Sequence, residues 1–91
     1  MYQKGSQQGT VRFVLKAPES ARKVVVVGDF RKWQPVPMRK QKDGSFSATV
    51  ALAPGTYEYK FIVDGEWVVD PDNNTWALNA YGTLNSVAHV E

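Results

Sequence analysis

The chain has 91 residues, of which 11 are basic and 9 acidic, with a net charge of +2, no cysteine and a single histidine. A chain of this length builds one domain around a small core, and without cysteine it has no disulfide framework, thiolate metal site or cysteine nucleophile. The mild, mixed charge demands neither a nucleic-acid nor a membrane partner, and no stretch nears the roughly 18 apolar residues of a membrane helix.

The polar N-terminus has no apolar leader core, and the chain reads as soluble and cytoplasmic, without a cofactor or metal. Residues 1–9, rich in Gln, Gly and Ser, read as a flexible lead-in, and residues 10–91 as the folded domain. No segment sustains a helical period. Short alternating apolar runs bounded by turns predict an all-β chain. The first strand is TVRFVLKAP, where Val11, Phe13 and Leu15 alternate with Arg12, Val14 and Lys16. In RKVVVVGDF, four consecutive valines predict a strand that is covered on both sides or has an unusually apolar outer face, ended by Gly28. Two prolines in RKWQPVP predict a loop bearing Trp33 and leading to a short edge strand near Met38 to Gln41. Asp43-Gly44 predicts a type I′ turn ahead of Phe46, Ala48, Val50 and Leu52. A second Asp-Gly hairpin, TYEYKFIVDGEWVVD, precedes a long loop from Pro71 to Gly82 and a last strand, TLNSVAHVE. About seven short strands at this spacing predict an immunoglobulin-like antiparallel β-sandwich.

The second hairpin fixes its own register. With Asp64 and Gly65 in the turn, Val63 pairs with Glu66, Ile62 with Trp67 and Lys60 with Val69. One face then carries Glu58, Lys60, Ile62, Trp67 and Val69. The other carries Tyr57, Tyr59, Phe61, Val63 and Val68 and is the better core candidate. Trp67 and Lys60 become diagonal neighbours on the outer face, about 7 to 8 Å apart. Two readings fit this pair. The indole covers the C–H face of a sugar ring while the ammonium donates to its hydroxyls, or Trp67 simply covers the sheet and Lys60 snorkels over it.

Three blocks in order, VVVVGDFRKWQPVPM, GTYEYKFIVDGEWVVDPDNN and YGTLNSVAHVE, resemble the family-48 carbohydrate-binding module. That family includes the glycogen-binding domain of the AMP-activated protein kinase β subunit and the N-terminal domain of isoamylase and glycogen branching enzymes. The likeness runs from Val11 to the C-terminus. It implies an early-set, immunoglobulin-like sandwich that binds α-1,4-linked glucan through two stacking tryptophans and a few polar contacts. The implied partners are glycogen, starch or malto-oligosaccharides, with a glucan-processing enzyme or kinase subunit alongside. The tryptophan of the family's GxFxxW block falls on Trp33, and the lysine and tryptophan of YKFxVDGxW fall on Lys60 and Trp67. The LGTxN block reads YGTLN here, which places the capping hydrophobe on Tyr81, the hydroxyl on Thr83 and the amide on Asn85. Tyr81 stands where the kinase modules have leucine, and the loop carrying Trp76 is slightly longer than theirs.

Trp76 is a secondary site residue, either plugging the open end of the sandwich or extending the glucan surface. His89 reads as a strand-face histidine. Asp29, Asp64, Asp70 and Asp72 read as turn and loop residues instead of a glycosidase pair across a cleft, so the domain is read as non-catalytic. A nucleic-acid reading rests on Arg31, Lys32 and Trp33 near Arg39, Lys40 and Lys42, but the compact basic-aromatic strand motif of such folds is missing. A third reading makes the domain a docking module of a larger enzyme or kinase complex with little sugar affinity.

Overall fold

In the computed structural model, which describes residues 1–91, the alternating runs become ten antiparallel strands and one 3₁₀ turn. They are β1 Tyr2–Lys4, β2 Thr10–Leu15, β3 Val24–Gly28, the turn Asp29–Arg31, β4 Val36–Pro37, β5 Arg39–Lys40, β6 Phe46–Ala51, β7 Gly55–Val63, β8 Glu66–Val68, β9 Trp76–Leu78 and β10 Leu84–Val90. One sheet runs β1-β2-β6-β5. The other runs β4-β3-β7-β10-β9, with β8 beside the C-terminal half of β7. Several of these strands are only two or three residues long, which is why the sequence suggests fewer.

The alternation packs the two sheets face to face. Val11, Phe13 and Leu15 of β2 and Phe46 and Val50 of β6 meet Val24 and Val26 of β3, Tyr59 and Phe61 of β7 and Ala88 of β10 in one core. Phe13 lies 4.9 Å from Tyr59, ring centre to ring centre, and 5.6 Å from Phe30. All four valines of β3 are buried: Val24 and Val26 point into the core, while Val25 and Val27 stand opposite Ile62 and Lys60 on the outer face. Pro37, which has no N–H to give a ladder, sits in β4 at the sheet edge.

The β7–β8 register is the expected one, Val63 opposite Glu66 and Ile62 opposite Trp67. Asp64 and Gly65 both have positive φ, 48° and 88°, as a type I′ turn requires. The ladder stops at Val68, so the expected Lys60–Val69 pair does not form, and Lys60 is paired only across the other edge of β7, with Val27 of β3. The cause lies one residue further on. Asp70 is drawn inward, its carboxylate accepting from the Tyr59 hydroxyl at 2.6 Å and its N–H donating to Ser86 Oγ at 2.8 Å. Burial and that carboxylate together push the Tyr59 phenol upward, keeping it neutral.

Three local expectations are corrected. The lead-in is partly ordered as a strand, because Tyr2 pairs opposite Phe13 and sets its ring edge-on to Tyr59, 6.1 Å away. The Asp43-Gly44 turn has positive φ only at Gly44, so it is a type I turn closed by a glycine bulge, with the Asp43 carboxylate accepting from the Ser45 N–H and hydroxyl. The stretch from Pro71 to Gly82 is interrupted by β9, whose pairing with Leu84, Asn85 and Ser86 of β10 orders three residues that have little strand signal of their own.

Asp64 also ties the hairpin tip to the start of β3, its carboxylate accepting from the N–H of Lys23 at 2.8 Å and of Arg22 at 3.0 Å. These bonds favour the ionised form and hold the Asp64 carboxyl below its ordinary 3.8. A depressed folded-state value gives stability that is complete above the unfolded value and is lost as pH falls through the folded one. Asp64→Asn, which keeps the left-handed tolerance, should therefore be less stable than the parent at pH 7, with the gap closing as pH falls below about 3.8. Urea unfolding across pH 2.5 to 7 measures it; a gap independent of pH would show that the carboxylate charge plays no part.

Candidate functional site

The outer face of the larger sheet becomes a groove because of how the chain leaves β3. The carbonyl of Glu58 on β7 passes so close to Gly28 that an added Cβ would lie 2.8 Å from it. The chain then makes the 3₁₀ turn and exits through Lys32 and Trp33, both left-handed with φ of 53° and 63°. Such a conformation costs a residue with a Cβ about 1 to 3 kcal/mol and persists only where surrounding bonds enforce it. Here the Trp33 N–H donates to the Gly28 carbonyl at 2.8 Å, and the Asp29 carboxylate accepts from the Glu58 N–H at 3.1 Å. The strained bend holds Trp33 above the sheet.

Trp33 is 37% exposed and Trp67, on β8, is 58% exposed. With Tyr81, 92% exposed, they are the large aromatics lining a groove of about 1020 Å³, whose other residues include Lys60, Thr83 and Asn85. Lys60 is on the outer face as expected, yet only 8% exposed. Its stem is buried, and its ammonium reaches the groove to donate to Thr83 Oγ1 at 3.2 Å. The lysine stem packs, as the snorkelling reading expects, and its ammonium stands in the groove.

Six of the seven sequence-predicted residues meet here. The seventh, Trp76, does not. On β9 it stands opposite Ser86, while the next residue, Ala77, stands opposite Asn85, the β10 side chain that lines the groove. The half-exposed Trp76 does not line the groove, although Leu78, at the groove end of the same strand, does. His89 is exposed near the far end of β10, its ring nitrogen 3.2 Å from Thr56 Oγ1. The smaller hollow it lines, of about 440 Å³, contains no tryptophan.

The structure adds Asp29, Glu58, Leu78 and Asn79 to the groove. Asn79 organises the loop to β10: its side-chain oxygen accepts from the N–H of Tyr81 at 3.0 Å and of Thr83 at 3.1 Å. Its amide donates to Thr83 Oγ1 at 2.7 Å and to Asn85 Oδ1 at 3.1 Å. Asn85 in turn donates to Glu58 Oε1 at 3.0 Å. The sequence carries a signal for Asn79, an Asn two residues before a turn position that its own side chain can cap.

The chain is similar to the glycogen recognition site of AMP-activated protein kinase, whose family model matches residues 11–91. The mouse 5'-AMP-activated protein kinase subunit beta-2 is 34% identical over 79 residues, covering 86% of this chain and 28% of that protein. Protein PTST homolog 2, chloroplastic, from Arabidopsis thaliana is 49% identical over 55 residues, 59% of this chain and 10% of its own length. The chain thus spans well under a third of both these relatives. In structure it superposes over its whole length on 16% of a maltogenic amylase from S. marinus, with a TM-score of 0.83 and 24% identity, a likeness of fold. With a family match from Val11 to the last residue and a β-sandwich that gathers six motif residues in one groove, the chain belongs to the family of the AMP-activated protein kinase glycogen recognition site.

Proposed function

We propose that this domain binds α-1,4-linked glucan, such as glycogen, starch or malto-oligosaccharides, without transforming it. The observation that carries the reading is the pair of exposed indoles, Trp33 and Trp67, in one groove with an ammonium, a hydroxyl and two side-chain amides between β7 and β10. A glucosyl ring has an apolar C–H face for an indole and a hydroxyl rim for the polar groups. The two indoles come from different elements, a strained bend and a hairpin strand, which suits a curved chain better than a straight one. The groove carboxylates are engaged with protein donors, Glu58 with Asn85 and Asp29 with the Glu58 N–H, in keeping with a binding role. In a longer protein such a module would hold a glucan-processing enzyme or a kinase subunit on the polysaccharide.

Titration with maltoheptaose should give a dissociation constant on the order of micromolar to millimolar, since an open groove must offset the ordering of a flexible sugar. Trp33→Ala with Trp67→Ala should abolish retention on glycogen and leave melting near that of the parent. Phe61→Ala, in the core beneath, should cost about 3 to 5 kcal/mol. A double variant that folds and still binds glycogen, or a parent that binds cello-oligosaccharides equally well, contradicts the reading.

Lys60 needs a substitution that respects its buried stem. Lys60→Met keeps the packing and removes the donors, so it should weaken maltoheptaose binding by about 1 to 2 kcal/mol with little change in melting temperature. Lys60→Ala should lower both. Unchanged affinity in Lys60→Met would make the ammonium irrelevant to the sugar.

A further inference from the structure

The hydrogen bonds around Asn79 have a direction, and backbone chemistry fixes it. An amide side chain has two acceptor sites on its oxygen and two donor protons on its nitrogen. The groups facing one end of Asn79 are the N–H of Tyr81 and the N–H of Thr83, which only donate, so that end is the oxygen. The other end is therefore the NH₂. It spends one proton on Thr83 Oγ1, at 2.7 Å, and one on Asn85, at 3.1 Å. Asn85 must then turn its own oxygen toward Asn79, which directs its NH₂ to Glu58 Oε1. No atom of the Asn79 side chain is left for a ligand.

The consequence falls on Thr83. Its hydroxyl oxygen has two lone pairs, and both are taken, one by Asn79 Nδ2 and one by the Lys60 ammonium at 3.2 Å. The remaining function of the group is its proton. Thr83 is exposed and lines the groove, so that proton is presented to whatever occupies it. A hydroxyl is ordinarily free to donate or accept, and here it is restricted to donating.

We infer that Asn79 is the positioning residue of the groove, and that by filling the acceptor sites of Thr83 it makes that hydroxyl an obligate donor, so the sugar atom at Thr83 is an oxygen that accepts. The inference rests on the glucan reading above and adds a polarity to it. Asn79→Asp tests it with the least change of shape. The aspartate keeps both acceptor positions for the Tyr81 and Thr83 N–H groups but has no protons to give, so the Thr83 hydroxyl turns inward to donate to the carboxylate and is withdrawn from the sugar. Maltoheptaose binding should weaken at least tenfold, with the Tyr81 and Thr83 backbone amide resonances staying near their parental positions. In a Thr83→Val background the same substitution should weaken binding less than it does in the parent, because the hydroxyl is gone and only the contact with Asn85 remains to be disturbed. Equal affinity in Asn79→Asp, or a loss of the same size in the Thr83→Val background, overturns the inference.

Exchange of side-chain amide protons in the unliganded parent gives a second measurement that needs no variant. Both Asn79 Nδ2 protons should exchange with solvent more slowly than those of Asn74, which is exposed. Equal rates overturn the inference even if Asn79→Asp fails to fold. A parent that shows no maltoheptaose binding but slow Asn79 exchange would defeat the glucan reading and leave the relay standing.

Discussion

The alternation along β7 sets both the core and the groove. Tyr59 and Phe61 project inward and are fully buried, while Glu58 and Lys60 project outward into the groove. The strand is held on one edge by β3, opposite residues 59–63, and on the other by β10, opposite 55–59, and then by β8, opposite 61–63. A slip of one residue would put both aromatic rings into solvent and a carboxylate and an ammonium into the core. The cost of that exchange holds the register, so the position of Lys60 in the same groove as Trp67 is a by-product of burying Tyr59 and Phe61. The Asp64 carboxylate, bound to the N–H groups of Arg22 and Lys23, secures the same register from the turn.

The polar side of the site depends on two asparagines in one connection. Asn73 donates to the Tyr59 hydroxyl at 3.0 Å and to the Val87 carbonyl at 2.8 Å, fastening the chain just after Asp70 turns inward. Its oxygen accepts from the Thr75 N–H, which delivers the backbone to β9. Asn79 repeats the device at the other end of β9 and presents Tyr81, Thr83 and Asn85. In each case a side-chain amide satisfies backbone groups that a loop of this length would otherwise leave to water. Trp33 reaches the same groove differently, through two consecutive left-handed residues whose strain is borne by bonds to Gly28 and Glu58.

Much of this arrangement is legible in the amino-acid sequence. The Asp-Gly turn at 64–65 fixes the pairing of Trp67 and the inward set of Tyr59 and Phe61, because turn geometry and side-chain period are local properties. The three motif blocks identify six residues that meet in the groove although Trp33 and Asn85 lie 52 positions apart in the sequence. The features that sequence reasoning misses depend on contacts between distant segments. β1 and β9 are three residues each, and they are strands only because β2 and β10 supply partners. Residue type groups Trp76 with the site, and only the folded structure shows that it lies outside the groove. The burial of Lys60 follows from the valines of β3 beside it, a neighbour that hairpin pairing alone does not reveal.

The central claim is that Trp33 and Trp67 form one curved sugar-binding surface and that Trp76 stands outside it. The three indole N–H resonances, followed by NMR while maltoheptaose is added, test it most directly. The account predicts that the Trp33 and Trp67 signals shift together along one binding curve, that Trp76 stays in place, and that cellohexaose moves none of them. A Trp76 shift that follows the same curve, or a Trp33 or Trp67 signal that stays still at saturation, would contradict it.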